Sequence, residues 1–161
     1  MNIHVSSSTD ITIREATNSD RERVEALVIP ILLEFRLQPD FTSSEADLKD
    51  IEATYLGGMF KLVEDKNGNL VGTLAVLRLN DEVCKLRKMY LIPQARGKGV
   101  GRYMLEQAIS IARDLGFKTM MLETVSTLQD AIRLYTRAGF QPVTQVAASP
   151  RCDHVYSLTL R

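Results

Sequence analysis

Cysteine and histidine are scarce in this 161-residue chain, which contains two of each. Cys84 and Cys152 lie far apart and show neither metal-ligand spacing nor the pattern of a disulfide framework. His4 and His154 are equally isolated, which is more typical of surface or hairpin histidines than of metal ligands. We therefore predict no metal site, and we expect a reducing compartment, the cytoplasm.

Net charge and long apolar runs are also missing. The 20 basic and 20 acidic side chains cancel, which argues against a surface built to bind nucleic acid or an anionic membrane. The residues after Met1 are polar, unlike those of a signal peptide, and no apolar run approaches the length of a membrane span. We expect a soluble protein with neither nucleic-acid nor membrane partners; a homodimer is compatible with the sequence.

The length and the apolar content fit one compact domain. Hydrophobic residues make up 45% of the chain, and a chain of this size buries enough surface to need no disulfide or structural metal. We expect residues 1–10 to form a flexible tail and residues 11–161 to form a single domain.

The first half reads as a strand, two helical stretches and three antiparallel strands. A capping-box spacing at Ser19 to Glu22 predicts a helix that runs to about Leu37, with Pro30 kinking or splitting it. A second helical stretch should lie near residues 44–56. The predicted strands cover residues 11–14, 59–64, 70–79 and 83–91, with a β-hairpin around Asn67-Gly68.

Along the predicted strand at residues 83–91, the apolar side chains switch from even-numbered to odd-numbered positions. Cys84 and Leu86 share one parity, whereas Met89 and Leu91 share the other, and a regular strand keeps alternate residues on one face. A β-bulge near Arg87 or Lys88 would restore the phase. A strand buried on both faces explains the same pattern, and the sequence leaves both interpretations open.

The second half predicts a crossover between parallel strands. A Gly-rich loop follows the third long strand, and apolar residues at helical spacing continue from Gly99 to Leu115. We predict a strand at residues 118–125, a helix at 128–138 with Gly139 and Phe140 closing it, and strands at 142–147 and 155–160. The expected architecture is α/β with a mixed sheet, because a strand–helix–strand unit makes parallel neighbours.

The loop after residue 91 has the properties of a phosphate-binding loop. It contains three glycines, Gly97, Gly99 and Gly101, and the cations Arg96, Lys98 and Arg102, directly before a helix. Glycines let the backbone approach a ligand, and the free N–H groups of a helix start bind anions. From Val83 to Leu105 there are six cations and no carboxylate. Walker and Rossmann loops are disfavoured, since neither spacing is complete here.

At these residues the sequence resembles the GNAT superfamily of N-acetyltransferases. The family signature Gln/Arg-x-x-Gly-x-Gly/Ala is matched by Arg96-x-x-Gly99-x-Gly101. The resemblance extends to Met89-Tyr90-Leu91-Ile92-Pro93 before the loop and to Leu134-Tyr135 and Gly139-Phe140 after it.

The resemblance implies a fold and a cofactor. The fold is a mostly antiparallel central sheet with a β-bulge and a V-shaped splay, flanked by helices, and the cofactor is acetyl-CoA. Main-chain groups of the segment Met89, Tyr90 and Leu91 would hold the pantetheine arm. The pyrophosphate would lie against Arg96, Gly97, Lys98, Gly99, Val100, Gly101 and Arg102. Many relatives bind the CoA arm with an Asn where this chain has Leu128, and Gln129 is the candidate substitute.

Two side chains are candidates for the reaction. Glu123 lies among apolar neighbours in a predicted strand, and such burial raises a carboxyl pKa toward that of a general base. A structural Glu that caps a helix or pairs with an arginine is equally compatible with the sequence. Tyr135 by periodicity is a packed aromatic. The resemblance implies instead that Glu123 deprotonates an ammonium and that Tyr135 protonates the leaving thiolate.

The sequence thus predicts an acetyl-CoA-dependent N-acetyltransferase that acts by direct transfer to a primary amine. A small-molecule or amino-acid-like acceptor is favoured over a protein, with acceptor contacts from residues 29–58 and 146–153. Three alternatives remain: a catalytically silent acyl-CoA-binding or regulatory domain of the same fold, a phosphate-ligand binder of another fold, and an acetyl relay through Cys84.

Overall fold

The computed structural model describes residues 11–146 and 148–161. The predicted tail at residues 1–10 lies outside this part of the chain and stays a prediction. The strands are β1 (Ile11–Glu15), β2 (Met59–Asp65), β3 (Leu70–Arg78), β4 (Val83–Leu91), β5 (Thr119–Thr124), β6 (Gln141–Pro142) and β7 (His154–Thr159). The α-helices are α1 (Arg21–Glu34), α2 (Ile51–Thr54), α3 (Val100–Asp114) and α4 (Gln129–Arg137).

The strands form one mixed sheet in the order β1-β2-β3-β4-β5-β7-β6. Every neighbouring pair is antiparallel except β4 and β5, which are parallel and are connected through α3. The predicted crossover, the hairpin and the α/β class are confirmed. None of the helices in the described ranges is long and apolar enough to cross a membrane.

Two hydrophobic cores lie on opposite faces of the sheet. The α3 core includes Val100, Met104 and Ala108, whose spacing puts them on one stripe of the helix, and it packs against Cys84 and Leu86 of β4. The α1 core joins the buried stripe of α1 to the α2 segment and to the other side of β2 and β3. Side chains that alternate along β4 therefore face different helices.

The bulge predicted in β4 is present at Lys88. The pairing of β3 with β4 shifts by one residue between Thr73 and Ala75, and Lys88 has a φ of 49°. A left-handed conformation is uncommon for a lysine and costs roughly 1–3 kcal/mol unless its surroundings impose it. The buried Thr73 hydroxyl donates a hydrogen bond to the Lys88 carbonyl at 2.6 Å, which stabilises the bulged geometry.

Three local expectations about helices are wrong. The capping interaction uses Thr17 and Asp20 rather than Ser19 and Glu22: the Thr17 N–H donates to the Asp20 carboxylate at 2.9 Å. Pro30 does not split the helix: α1 runs without interruption from Arg21 to Glu34, because its buried stripe outweighs the lost backbone donor. The stretch at 44–56 is interrupted at Asp50, whose carboxylate accepts the Ala53 N–H at 3.1 Å and so starts α2 anew.

The strand predicted at residues 142–147 is also largely wrong. The strand β6 consists of Gln141 and Pro142, which pair with β7. The Val143 N–H still donates to the Val155 carbonyl at 2.8 Å, but the chain forms no regular strand from Val143 to Val146. Proline has no N–H for a ladder, which favours a short edge strand here. Ala147 lies outside the described residues. Further along the chain, Ser149 contacts Glu123 of β5 and Arg151 contacts Glu45.

We predict that Thr73→Val lowers the free energy of unfolding by about 1–2 kcal/mol, because a buried carbonyl at the bulge loses its hydroxyl donor. Urea denaturation of the variant and the parent measures this difference. Thr12→Val, on the exposed side of β1, is the matched control and should change stability by no more than about 0.5 kcal/mol. Equal stability of the Thr73 variant and the parent would show that the hydroxyl does not support the bulge.

Candidate functional site

A cleft opens where β4 and β5 stop pairing. The two strands are hydrogen-bonded only from Val83 to Lys85 and from Thr119 to Met121. Beyond that point β4 stays paired with β3 as far as Leu91, and β5 stays paired with β7 as far as Thr124. The sheet therefore splits between them, and the cleft has a volume of about 870 Å³. The splay that the family resemblance implied is present.

The glycine loop, residues 97–102, forms one border of the cleft. Gly97 and Gly99 have φ values of 76° and 82°, and a Cβ atom on either would meet nothing within 4 Å. Gly99 is the N-cap of α3, and the first main-chain bond of the helix runs from the Tyr103 N–H to the Gly99 carbonyl. The N–H groups of the first helical residues thus have no intrahelical acceptor, which is the geometry that binds a phosphate.

The cations of the loop are not equivalent. Arg96 was expected to add charge for a phosphate, but its guanidinium binds both carboxylate oxygens of Glu34 at 2.6 and 3.0 Å. Its Nε donates to the Leu91 carbonyl at 2.9 Å, and its guanidinium lies 5.2 Å from the centre of the Phe35 ring. Arg102 forms an exposed ion pair with Glu106. Arg96 therefore joins the end of α1 to the loop.

The other predicted cofactor residues divide between the cleft and the core. Met89, Tyr90 and Leu91 line the cleft, as do the three glycines, Arg96 and Arg102. Lys98 is half-buried and does not line it. The Val100 side chain is buried in the α3 core, so only its main chain is suited to a ligand contact. Gln129, the candidate substitute for the Asn, donates to the Ser126 carbonyl while also lining the cleft.

Glu123 lies on the wall of the cleft in an ion pair. Its Oε2 accepts from the Lys85 ammonium at 2.8 Å and from the Ser149 hydroxyl at 2.9 Å, and its Oε1 accepts from the Ser149 N–H at 3.1 Å. Burial acts to raise the pKa of this carboxyl, but the lysine and the Ser149 bonds outweigh it, and the pKa lies below its usual value. The expectation of a raised pKa is wrong, because β4 supplies a cation that the neighbouring sequence did not reveal.

Tyr135 projects from α4 into the same cleft. Its ring packs edge-to-face against Phe140 with a centroid separation of 5.8 Å. Burial raises the pKa of its phenol to about 12, so the hydroxyl is protonated at neutral pH. The Phe140 N–H donates to the Tyr135 carbonyl at 3.1 Å, which closes the end of α4 as the Gly139-Phe140 pattern predicted.

The bulge directs two consecutive cations to one side of the sheet. Arg87 and Lys88 both donate to the Ser44 carbonyl at 2.7 Å, whereas neighbouring residues of a regular strand face opposite ways. The Lys88 ammonium also lies 3.5 Å from Glu45 Oε1 and 3.3 Å from Asp47 Oδ1. Burial and the neighbouring Arg87 charge lower the pKa of Lys88. The two carboxylates are therefore needed to hold it as a cation.

Arg151 connects this buried cluster to the C-terminal segment. Its guanidinium binds Glu45 through two contacts at 3.0 and 3.1 Å and also donates to the Gln38 carbonyl at 3.1 Å. Glu45 is fully buried, and its carboxylate also accepts the Asp40 N–H at 2.7 Å. The segment that carries Ser149 and Arg151 is thus tied to the α1–α2 segment across the cleft. Both segments predicted to contact an acceptor line the cleft.

The sequence did not reveal the carboxylate partners of the cations on β4. It identified Lys85, Arg87 and Lys88 as cations without local carboxylates, and it inferred an anionic ligand. In the structure their carboxylates come from distant segments, as Glu123, Glu45 and Asp47. The signal in the sequence was the charge imbalance of this stretch. A pattern of charges along the chain does not say which distant acidic residues the fold brings near.

Cys84 is poorly suited to carry an acyl group. Its side chain is buried in the α3 core, and its thiol donates to the Thr119 carbonyl at 3.6 Å. Burial raises the pKa of the thiol to about 11, which leaves little thiolate at neutral pH. The relay through Cys84 therefore loses its physical basis.

Comparisons with known proteins agree with this geometry. Residues 25–140 match the family model described as the acetyltransferase (GNAT) family. The uncharacterized N-acetyltransferase YjgM of Escherichia coli K12 is 30% identical over 138 residues, which cover 81% of this chain and 82% of the relative. A GNAT-family acetyltransferase from Staphylococcus aureus Mu50 superposes with a TM-score of 0.86 at 25% identity, covering 94% of this chain and 100% of that structure. The Salmonella typhimurium protein yncA, solved with its cofactor acetyl-CoA, gives 0.71 at 24% identity, covering 94% of this chain and 95% of its own.

We predict that Gly99→Val abolishes CoA binding while the fold survives, because a branched side chain at the helix start fills the space that a phosphate would occupy. Gly116→Val is the matched control: this residue also has a positive φ, and its Cβ would likewise meet nothing within 4 Å, but it lies beyond the other end of α3. Both variants should lose a similar amount of stability, on the order of 1–2 kcal/mol. Isothermal titration calorimetry with CoA distinguishes them, and unchanged affinity in folded Gly99→Val would rule out the loop as the phosphate site.

Proposed function

The chain belongs to the GNAT acetyltransferase family, and from that premise we propose that it transfers the acetyl group of acetyl-CoA directly to a primary amine. The observation that carries the proposal is the gap between β4 and β5, which joins a glycine loop suited to a pyrophosphate to a wall that holds a carboxylate. The pantetheine arm would lie in this gap against the main chain of Met89 to Leu91. The loop would hold the pyrophosphate.

The two candidate catalytic side chains flank the gap from opposite faces of the sheet. Tyr135 belongs to the α3 core, together with Met120 and Leu122 of β5. Glu123 points the other way by strand alternation and meets Lys85 there. An acyl thioester in the gap would therefore present its sulfur to the tyrosine and its carbonyl carbon to an amine beside the glutamate.

The proposed reaction needs no covalent enzyme intermediate. The amine nitrogen attacks the thioester carbonyl carbon, and a strand N–H near Leu91 stabilises the oxyanion. The carbon–sulfur bond then breaks, and the thiolate takes the phenolic proton of Tyr135. An acceptor that arrives as an ammonium gives up two protons: one before the attack, to Glu123 or to a water that Glu123 orients, and one from the nitrogen of the tetrahedral intermediate. Both pass on to solvent. The tyrosine regains its proton from solvent through the open cleft.

The lowered pKa of Glu123 defines its part in this scheme. A carboxylate that is ionised at neutral pH attracts an ammonium group, which is the form in which most amines arrive. It is a weak base for direct abstraction, so transfer through an oriented water fits it better than a carboxyl with a raised pKa. Lys85 and Ser149 keep the carboxylate in place until the amine displaces part of their contacts.

The acceptor and the compartment belong to the proposal as well. A small amine or an amino-acid-like molecule fits a cleft of about 870 Å³ with a polar wall. The cysteines Cys84 and Cys152 are both free, which is consistent with a reducing compartment such as the cytoplasm.

We predict that Glu123→Gln lowers kcat/KM at neutral pH by about a hundredfold, with acetyl-CoA affinity nearly unchanged, because the amide cannot accept a proton. The assay follows the release of free CoA thiol while a panel of amines is varied. Glu82→Gln is the control, since it breaks an exposed Lys118 pair of similar length, 2.9 Å.

Because the pKa of Glu123 is lowered, its carboxylate is present from mildly acidic pH upward, and the parent should lose this contribution only as the pH falls below the usual glutamate range. Rates equal to the parent at every pH would make Glu123 a structural residue.

We predict that Tyr135→Phe lowers kcat by about a hundredfold while the melting temperature and acetyl-CoA affinity stay near those of the parent, because the ring is kept and only the hydroxyl is lost. Tyr103→Phe on α3 is the control for loss of a phenol outside the cleft. A lower melting temperature with kcat unchanged would return Tyr135 to a packing role. Binding of acetyl-CoA by the parent without turnover of any amine would instead favour the catalytically silent alternative.

A further inference from the structure

The wall beside Glu123 carries more positive than negative charge. We call Lys85, Arg87, Lys88 and Arg151 the wall cations; the carboxylates facing them are Glu45, Asp47 and Glu123. Four cations against three carboxylates leave one formal positive charge. Within the described residues each of these carboxylates already contacts at least one wall cation. The wall therefore has no spare carboxylate for a second ammonium group of an acceptor.

Arg87 is the wall cation with the most unused hydrogen-bonding capacity. A guanidinium has five N–H donors, and in the described part of the chain Arg87 makes one hydrogen bond, to the Ser44 carbonyl. Its approach to Asp47 is 3.8 Å, too long for a hydrogen bond. Its side chain is 20% exposed and lines the cleft. Arg151, in contrast, is held by two contacts to Glu45.

The position of Arg87 relates it to Glu123. Lys85 and Arg87 are two residues apart on β4 before the bulge, so their side chains share a face at a spacing of about 7 Å along the strand. Lys85 contacts Glu123, where the proposed function places the amine. A short molecule can thus present an amine to Glu123 and an anionic group to Arg87. A guanidinium matches a carboxylate through two parallel hydrogen bonds, which makes a carboxylate the fitting partner.

Resting on the proposed function, we propose that the acceptor is a small amine that also carries a carboxylate, and that Arg87 recognises this carboxylate. Arg87 is then a specificity-determining residue of the wall. A polyamine, which would need a second free carboxylate, is disfavoured by the same charges. Arg102 lies on the loop side of the cleft and would serve the phosphates of the cofactor, so it does not compete for the acceptor.

The first test compares matched acceptors on the unaltered protein. Free amino acids with α-, β- and γ-placed amines are assayed beside their carboxamides, with free CoA thiol as the readout. We expect kcat/KM for the preferred acid to exceed that of its amide by about tenfold or more, the effect of one charge-assisted hydrogen-bonded pair. Amides that are acetylated as well as the acids would overturn the carboxylate inference and leave the acetyltransferase intact. Turnover of neither set, nor of simple amines, would contradict the proposed function itself.

The second test assigns the preference to Arg87. The acid-to-amide ratio of kcat/KM should fall about tenfold in Arg87→Gln and stay unchanged in Arg113→Gln, an exposed arginine near the end of α3. Taking the ratio within each variant cancels differences in amine reactivity and in overall activity. An unchanged ratio in the Arg87 variant would overturn its role.

A third measurement does not depend on the variant folding. Carboxylic acids that lack the amine should inhibit the unaltered protein competitively against the acceptor, about tenfold more strongly than their amides. Equal inhibition by the acid and its amide would contradict a carboxylate site on the wall.

Discussion

The bulge at Lys88 is the constraint on which the rest of the site depends. A regular β4 would keep its ladder with β3 in phase, and it would send Arg87 and Lys88 to opposite faces. With Lys88 in a left-handed conformation, both cations reach the Ser44 carbonyl, and Met89 and Leu91 return to the α3 side. The unfavourable backbone of one lysine is offset by the Thr73 hydroxyl and by two buried carboxylates. Strained residues of this kind persist where the surroundings over-determine them, often at functional sites.

The second feature of β4 that shapes the site is its short pairing with β5, which leaves the sheet split. β4 and β5 share only a short parallel ladder, and each then follows its antiparallel partner. The main-chain groups left unpaired in the gap lie between a helix start with free N–H groups and a wall of side chains. A thioester with a long polar arm matches such a gap, because the arm can take up strand hydrogen bonds that no strand within residues 11–146 and 148–161 satisfies.

The ion network in the wall of the cleft is buried, and its role is to position distant segments of the chain. Glu45, Asp47 and Lys88 are almost fully buried, and buried ion pairs contribute little net stability compared with apolar packing. They do, however, bring three distant parts of the chain to one place: the segment before α2, the bulge, and the segment of Ser149 and Arg151. Breaking one partner would leave the others charged and desolvated, so the network holds the wall in one arrangement. That arrangement sets both the environment of Glu123 and the charge excess at Arg87.

The sequence by itself determined the order of elements, the bulge as one of two interpretations, the glycine loop, and the family. These depend on local patterns: the switch of apolar positions in β4, helical spacing in α3, and the glycines of the loop, of which Gly97 and Gly99 have positive φ values that other residues rarely adopt. It did not determine the interruption at Asp50, where a side-chain cap competes with helical periodicity, or the continuity of α1 through Pro30, where burial outweighs one lost hydrogen bond. Above all, only the tertiary structure decided the electrostatics of the wall. The pKa of Glu123 depends on Lys85 and Ser149, and the burial of Lys88 depends on Glu45 and Asp47, which are partners many residues away. Ion pairing follows distance in space, and a linear pattern of charges does not contain that distance.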